Sequence, residues 1–312
     1  RGVAWLMAPG VLTLSIGPRT SSKHIQQELH PTQKVLAMSD TAQTTARVGR
    51  RVRHELKMRL LQVRDVSRLT PKMVRVVVGG EALSGFVSAS YDDHVKLFFP
   101  HPGEEKPVLP TPSPNGPVYP EGIVRPPSRD YTPRRHDAAA NTLTLDFVLH
   151  DAGPATAWAA QARTGQFLGV GGPRGSLVIP DDFDWYLFVG DETALPAIGR
   201  RLEELPASTR AIVVAEIADK TEEQQFASRA AVEVRWLYRN TAAAGKTSLL
   251  QDALAGLSLP SGEGYAWVAT EAATAKALRQ YLVEQRGLDK ERVKAAAYWK
   301  RGAVAVHETY ND

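Results

Sequence analysis

The strongest constraint on this chain is a change of hydrophobic rhythm at Pro180-Asp181-Asp182. Ahead of it, apolar residues come in short runs rich in β-branched and aromatic side chains: Lys57 to Val63, Met73 to Val78, His94 to Phe99 and Thr142 to His150. Gly and Pro separate the runs, which argues for antiparallel strands. Beyond it, continuous apolar runs (Trp185 to Val189, Ala211 to Ile217, Val232 to Tyr238, Ala266 to Thr270, Ala295 to Trp299) alternate with amphipathic stretches at Leu195 to Leu205, Ser248 to Leu254 and Ala272 to Arg286. Such strands present no polar face to water, so helices must cover both sides of a parallel sheet. The expected fold is a β-barrel (53–181) followed by an α/β domain (182–312), with 1–52 an N-terminal extension, in part disordered or non-native. A chain of 312 residues, 43% apolar, is long enough for two cores.

Within the first half, residues 100–128 hold ten of the 21 prolines, too many for a helix or a central strand, so a long exposed loop is expected there. Two further strands follow, Gln166 to Val170 and, after the turn Gly171-Gly172-Pro173-Arg174-Gly175-Ser176, Leu177 to Ile179, which is expected to close the barrel.

Composition removes whole classes of function. The net charge of +4 suggests a nucleic-acid partner until it is located: residues 1–58 carry nine Lys/Arg and three Asp/Glu, leaving 29 against 31 in residues 59–312. The body thus has no basic excess and nucleic-acid binding is not expected. Absence of cysteine excludes disulfides, thiolate zinc, Cys-ligated iron–sulfur clusters and a cysteine nucleophile. The eight His residues form no HExxH pattern, so no protein-built metal site is expected. Redox chemistry on this chain therefore needs an organic cofactor. Val3 to Ile16 is apolar but broken by Pro9-Gly10 and too short to span a membrane. We read residues 1–37 as upstream sequence ahead of a start at Met38, in preference to a signal peptide, and expect a cytoplasmic monomer.

Three segments carry chemistry. Arg129-Asp130-Tyr131-Thr132-Pro133-Arg134 follows the Pro-rich loop. Extended backbone puts Arg129 and Tyr131 on one face and Thr132 and Arg134 on the other. A flavin dinucleotide needs such a set: a guanidinium for its pyrophosphate, an aromatic face and a short hydroxyl. A polar strand end with solvated arginines is the competing reading. His150-Asp151-Ala152-Gly153-Pro154-Ala155-Thr156 is a strand end, a Gly turn and a helix start whose free N–H groups can hold an anion, or simply an ordinary capped helix. Gly190-Asp191-Glu192-Thr193-Ala194 ends the strand Trp185 to Val189, where a second pyrophosphate can sit, although no GxGxxG is present. Asp191 and Glu192 would repel phosphate, so they cap the helix or face the flavin instead. Asp219 is placed to accept a ribose hydroxyl or to cap its turn, and Glu271 to approach a nicotinamide or to cap its helix. Lys300 and Arg301 end the strand Ala295 to Trp299, either on the ligand-bearing edge or as a solvated strand end.

In this order the segments resemble the siderophore-interacting protein family of flavin-dependent ferric-siderophore reductases, in the ferredoxin reductase-like superfamily. The resemblance rests on Arg129-x-Tyr131-Thr132-x-Arg134, Gly153-Pro154-Ala155-x-x-Trp158-Ala159, Gly190-Asp191-Glu192-Thr193-Ala194-Leu195-Pro196 and Tyr298-Trp299-Lys300-Arg301-Gly302, and runs from about Arg53 to His307. It implies an FAD-binding barrel, an NADPH- or NADH-binding domain, and a basic siderophore pocket, whose members here are Lys96, Lys300 and Arg301. It implies no catalytic acid, base or nucleophile: electrons pass from NAD(P)H through FAD to Fe(III) in a siderophore. The alternatives are a general NAD(P)H:flavin or quinone reductase and a siderophore-binding flavoprotein without catalysis.

Overall fold

The structure, a computed structural model, describes residues 47–114, 116–150, 153–303 and 308–310. The expectations for residues 1–37, and those for Asp151 and His307, fall outside the described residues.

The first half builds a seven-stranded antiparallel sheet from β2 (Met58–Thr70), β3 (Met73–Gly79), β4 (Val95–Phe98), β5 (Ser128–Tyr131), β6 (Arg135–Asp137), β7 (Thr142–Val148) and β8 (Phe167–Gly171). The spatial order is β5-β4-β8-β2-β3-β7-β6, so the edge strands β5 and β6 are consecutive in the chain. Only Thr132, Pro133 and Arg134 join them, and a link of that length reaches at most about 14 Å. Two edges tied so closely require the sheet to curl into a barrel. The alternating residues Leu61, Val63, Val76, Val78, Leu97, Leu145, Phe147, Leu168 and Val170 fill its inside and are fully buried.

One strand behaves otherwise than expected. The segment Leu177 to Ile179 does not close the barrel. Instead β9 (Gly175–Val178) pairs with β1 (Arg50–Arg53) in a separate two-stranded ribbon. That ribbon begins at Arg50, ahead of residue 53 where the barrel was expected to start. The helix read at Pro154 is α1 (Pro154–Ala160), which lays Trp158 on Phe99 and Phe147, so this Trp is core packing.

The second half is a six-stranded sheet of order β12-β11-β10-β13-β14-β15. Strands β10 (Trp185–Asp191), β11 (Arg210–Ile217), β12 (Ala231–Tyr238), β13 (Gly264–Glu271) and β14 (Val293–Trp299) are parallel, and β15 (Glu308–Tyr310) adds an antiparallel edge. Helices α2 (Leu195–Glu204), α3 (Leu249–Ala255) and α4 (Ala272–Gln280) cover them. Every residue of β10 and β13 is buried, which is what their unbroken apolar sequence requires.

The two halves share a core. Met73 and Tyr91, from the barrel half, pack with Phe188, Ile198 and Trp267. Glu222 ties the contact: Thr70 Oγ1 donates to its carboxylate at 2.6 Å and the Lys72 N–H at 3.0 Å. Among the described residues no helix is long and apolar enough to cross a membrane.

Candidate functional site

Register puts the Arg129-to-Arg134 segment where the barrel edge meets the second sheet. Strand β5 pairs with β4 so that Lys96 lies opposite Asp130, while Arg129 and Tyr131 lie opposite Leu97 and Val95 on the other face. The alternation predicted from sequence is therefore present. Tyr131 packs one side of its ring on Phe147, with centroids 4.4 Å apart, and burial pushes its phenol well above the ordinary tyrosine range. Half-buried Arg129 donates to the Ser128 carbonyl at 2.7 Å and has no carboxylate partner among the described residues. Its positive charge is thus available to a phosphate.

Thr132 and Arg134 turn inward. Thr132 is buried and hydrogen-bonds the Tyr298 hydroxyl, which itself donates to Asp92 at 2.8 Å. Lys294 pairs with the same Asp92 carboxylate. Arg134 is 8% exposed and holds Glu203 of α2 in a two-pronged contact, with Asp146 3.9 Å away. This guanidinium, expected from the sequence to touch the cofactor, fastens the barrel edge to the second domain.

The second turn that the sequence offered as an anion site lies at the start of α1. Gly153 has φ of +132°, a conformation that only glycine adopts without strain, and Pro154 opens the helix. Among the described residues no side chain caps this end, which leaves the N–H groups of Ala155 and Thr156 without a side-chain acceptor there. The Thr156 hydroxyl sits 3.5 Å from the Val148 carbonyl and His150 is exposed at the strand end. Arg129 without a carboxylate partner among the described residues, the Tyr131 ring backed by Phe147 and this glycine turn at a helix start are groups that a flavin dinucleotide asks for, so the residues present fit FAD.

At the carboxyl edge of the parallel sheet the acids have structural partners. Asp191 is 4% exposed and accepts from the Thr193 N–H at 2.9 Å, Thr270 Oγ1 at 2.7 Å and Trp299 Nε1 at 2.8 Å. Glu192 pairs with Arg239, and burial still holds its carboxyl above the ordinary range. Burial likewise raises Glu216. Asp219 accepts from the Thr221 N–H at 2.8 Å, and Glu271 accepts from Ala273 N at 2.8 Å and Thr274 N at 3.3 Å. Of the two readings each allowed, both adopt the cap. Gly190 is required by packing, because a Cβ there would lie 2.4 Å from Ala194 Cβ and 2.5 Å from the Ala269 carbonyl oxygen.

The three basic residues divide. Lys300 and Arg301 are exposed at the end of β14, and the Arg301 N–H donates to Glu271 at 3.2 Å, so they do stand on the carboxyl edge. Lys96 lies on the barrel, 2.7 Å from Asp130. Sequence reasoning missed Thr270, Trp299 and Arg239 as partners of the Gly190-Asp191-Glu192 turn. Each ends or follows a strand of the sheet, and convergence of such ends was the signal that could have found them.

Comparison with known proteins decides the family. Residues 62–177 match the siderophore-interacting FAD-binding domain and residues 183–302 match the siderophore-interacting protein domain. The chain belongs to the siderophore-interacting protein family. Among members of the family, the NADPH-dependent ferric-chelate reductase of Escherichia coli is 40% identical over 259 residues, covering 82% of this chain and 98% of that protein. A ferric vibriobactin reductase of Vibrio cholerae is 32% identical over 255 residues, covering 80% and 93%. The crystal structure of a siderophore utilization protein from T. fusca superposes with a TM-score of 0.76 at 43% identity, covering 82% and 98%.

Proposed function

We propose that this siderophore-interacting protein is an FAD-dependent NAD(P)H oxidoreductase that reduces ferric siderophores and so releases their iron. The observation that carries the reading is the joining of an FAD-fitting barrel edge to the carboxyl edge of a parallel sheet, in a chain 40% identical to a ferric-chelate reductase. Arg129, Tyr131, Thr132, His150, Gly153, Ala155 and Thr156 form the FAD side, within a barrel domain of residues 53–181. The Gly190-to-Ala194 turn, with Asp219 and Glu271 as caps, forms the nicotinamide nucleotide side within residues 182–312. Lys300, Arg301 and Lys96 attract the anionic chelate.

Bound FAD would supply two-electron acceptance from a reduced nicotinamide and one-electron donation to Fe(III). The chain's residues position and exclude. Tyr131 offers an aromatic wall backed by Phe147, Thr132 and Tyr298 seal the seam between the domains, and Arg129 neutralises pyrophosphate. No side chain has to exchange a proton with the iron complex. Hard oxygen donors bind ferric iron far better than ferrous iron, so reduction itself loosens the metal. We place the protein in the cytoplasm as a monomer.

Anaerobic titration is the test. NADPH should bleach the flavin absorbance, and a ferric siderophore should restore it while two Fe(II) per NADPH appear in a ferrous chelator. Bleaching that quinones reverse but ferric siderophores do not would make the protein a general reductase. Flavin that NADPH and NADH both leave unbleached would leave only a binding role.

A further inference from the structure

At the barrel mouth where β2 begins and β8 ends lies a cavity of about 270 Å³, walled by Arg53, His54, Lys57, Arg59, Gly172 and Pro173. One liquid water occupies roughly 30 Å³, so the space suits a small polyatomic group. The charge of its wall is one-sided. Glu55, the one carboxylate lining it, is 3.0 Å from Lys57 Nζ, while neither Arg53 nor Arg59 has a carboxylate partner among the described residues.

Arg59 is the decisive group. It is 4% exposed, its Nη1 donates to the Gly172 carbonyl at 3.1 Å and the Lys57 carbonyl at 3.3 Å, and its guanidinium lies over the Phe86 ring. Its Nε has no hydrogen-bond partner among the described residues. Burial lowers its pKa, and the charge of Glu55 opposes that shift without forming an ion pair with it. A buried cation without a counter-charge is costly, and an anion in the adjoining space removes that cost. His54 is oriented for the same wall: Ser176 gives its proton to Asp93 at 2.6 Å and therefore accepts from His54 Nε2 at 2.7 Å.

We propose that this pocket binds a compact, multiply charged oxyanion of the phosphate or small polycarboxylate type, held by Arg53, Lys57 and Arg59. The assignment stands independently of the reductase reading. Isothermal titration of the FAD-loaded full chain tests it, with inorganic phosphate in one arm, citrate in another and chloride at matched ionic strength as control. Saturable binding of phosphate or citrate at one site per chain is expected, with none for chloride, and whichever binds more tightly names the group. Arg53→Ala/Lys57→Ala, and separately Lys57→Glu at a half-exposed position, should weaken that binding at least about tenfold. Both should keep normal FAD content and NADPH-dependent dye reduction, and Lys300→Ala/Arg301→Ala should leave anion affinity as in the wild type. No saturable binding of either anion to the wild type, or an affinity that neither pocket variant changes, overturns the proposal.

Discussion

At the scale of single residues, Arg129 and Arg134 stand five positions apart in one short segment and have opposite fates. Among the described residues Arg129 lacks a carboxylate partner, whereas Arg134 is buried against Glu203. Arg129→Ala should therefore weaken FAD binding by about 1.5–3 kcal/mol, the usual worth of a hydrogen bond to a charged group, with little change in folding. Equilibrium dialysis of FAD against apoprotein measures it. Arg134→Ala should do the reverse, lowering unfolding free energy by about 1–3 kcal/mol in urea titration while reconstituted protein still takes up FAD. The same pair sets a pH dependence. The hydrogen bond from Arg134 holds Glu203 below its ordinary value of 4.5. A carboxyl whose folded pKa is depressed contributes stability above its unfolded pKa and loses it as pH falls through the folded one. The stability gap between wild type and Glu203→Gln should thus be full at neutral pH, shrink from about pH 4.5 downward and close in more acid solution. A gap that widens on acidification would contradict the sign. Glu203 is partly exposed, which keeps the effect small.

At the scale of elements, the turn after β10 depends on one missing Cβ. Gly190→Ala would force a methyl against Ala194 and the Ala269 carbonyl at distances no real Cβ shows, and neither neighbour is a flexible side-chain end. It should cost on the order of 1–3 kcal/mol or more and lower the melting temperature, measurable by calorimetry. This turn also shows how far sequence reaches. Apolar periodicity located the core strands of both halves because it reports local burial, but not the short edge strands β1, β6 and β15, and the Gly after the Trp185 to Val189 run marked the turn. It carried no sign that Thr270 and Trp299, 79 and 108 residues away, would close on Asp191. For the same reason Leu177 to Ile179 read as a closing strand: its pattern is that of any strand, and its partner, Arg50–Arg53, is polar and lacks apolar alternation. Two arginines in one extended segment likewise give equal local signals, and only α2, placed by the tertiary fold, separates them.

At the scale of the whole molecule, the question is how a body of net negative charge draws in an anionic ferric chelate. Residues 59–312 carry 29 Lys/Arg against 31 Asp/Glu, so attraction has to come from cations gathered in one place. Lys300 and Arg301 are exposed at the carboxyl edge, where all five parallel strands end. Lys96 has Asp130 at 2.7 Å, which cancels much of its field at a distance. The long-range pull should therefore fall mainly on the β14 pair. Exposed charges are screened over a Debye length of about 8–10 Å near physiological salt, so the wild-type second-order rate with an anionic ferric siderophore should drop as salt rises. Lys300→Ala/Arg301→Ala should lower that rate at low salt and flatten its salt dependence, while FAD content and NADPH-driven dye reduction stay near wild type. Lys96→Ala should change the slope less, because its removal also frees Asp130. Stopped-flow reduction of one anionic ferric siderophore across a salt series reads all three proteins. An unchanged rate and slope in the double variant would move the substrate site away from β14, and a steeper loss with Lys96→Ala would put it on the barrel face.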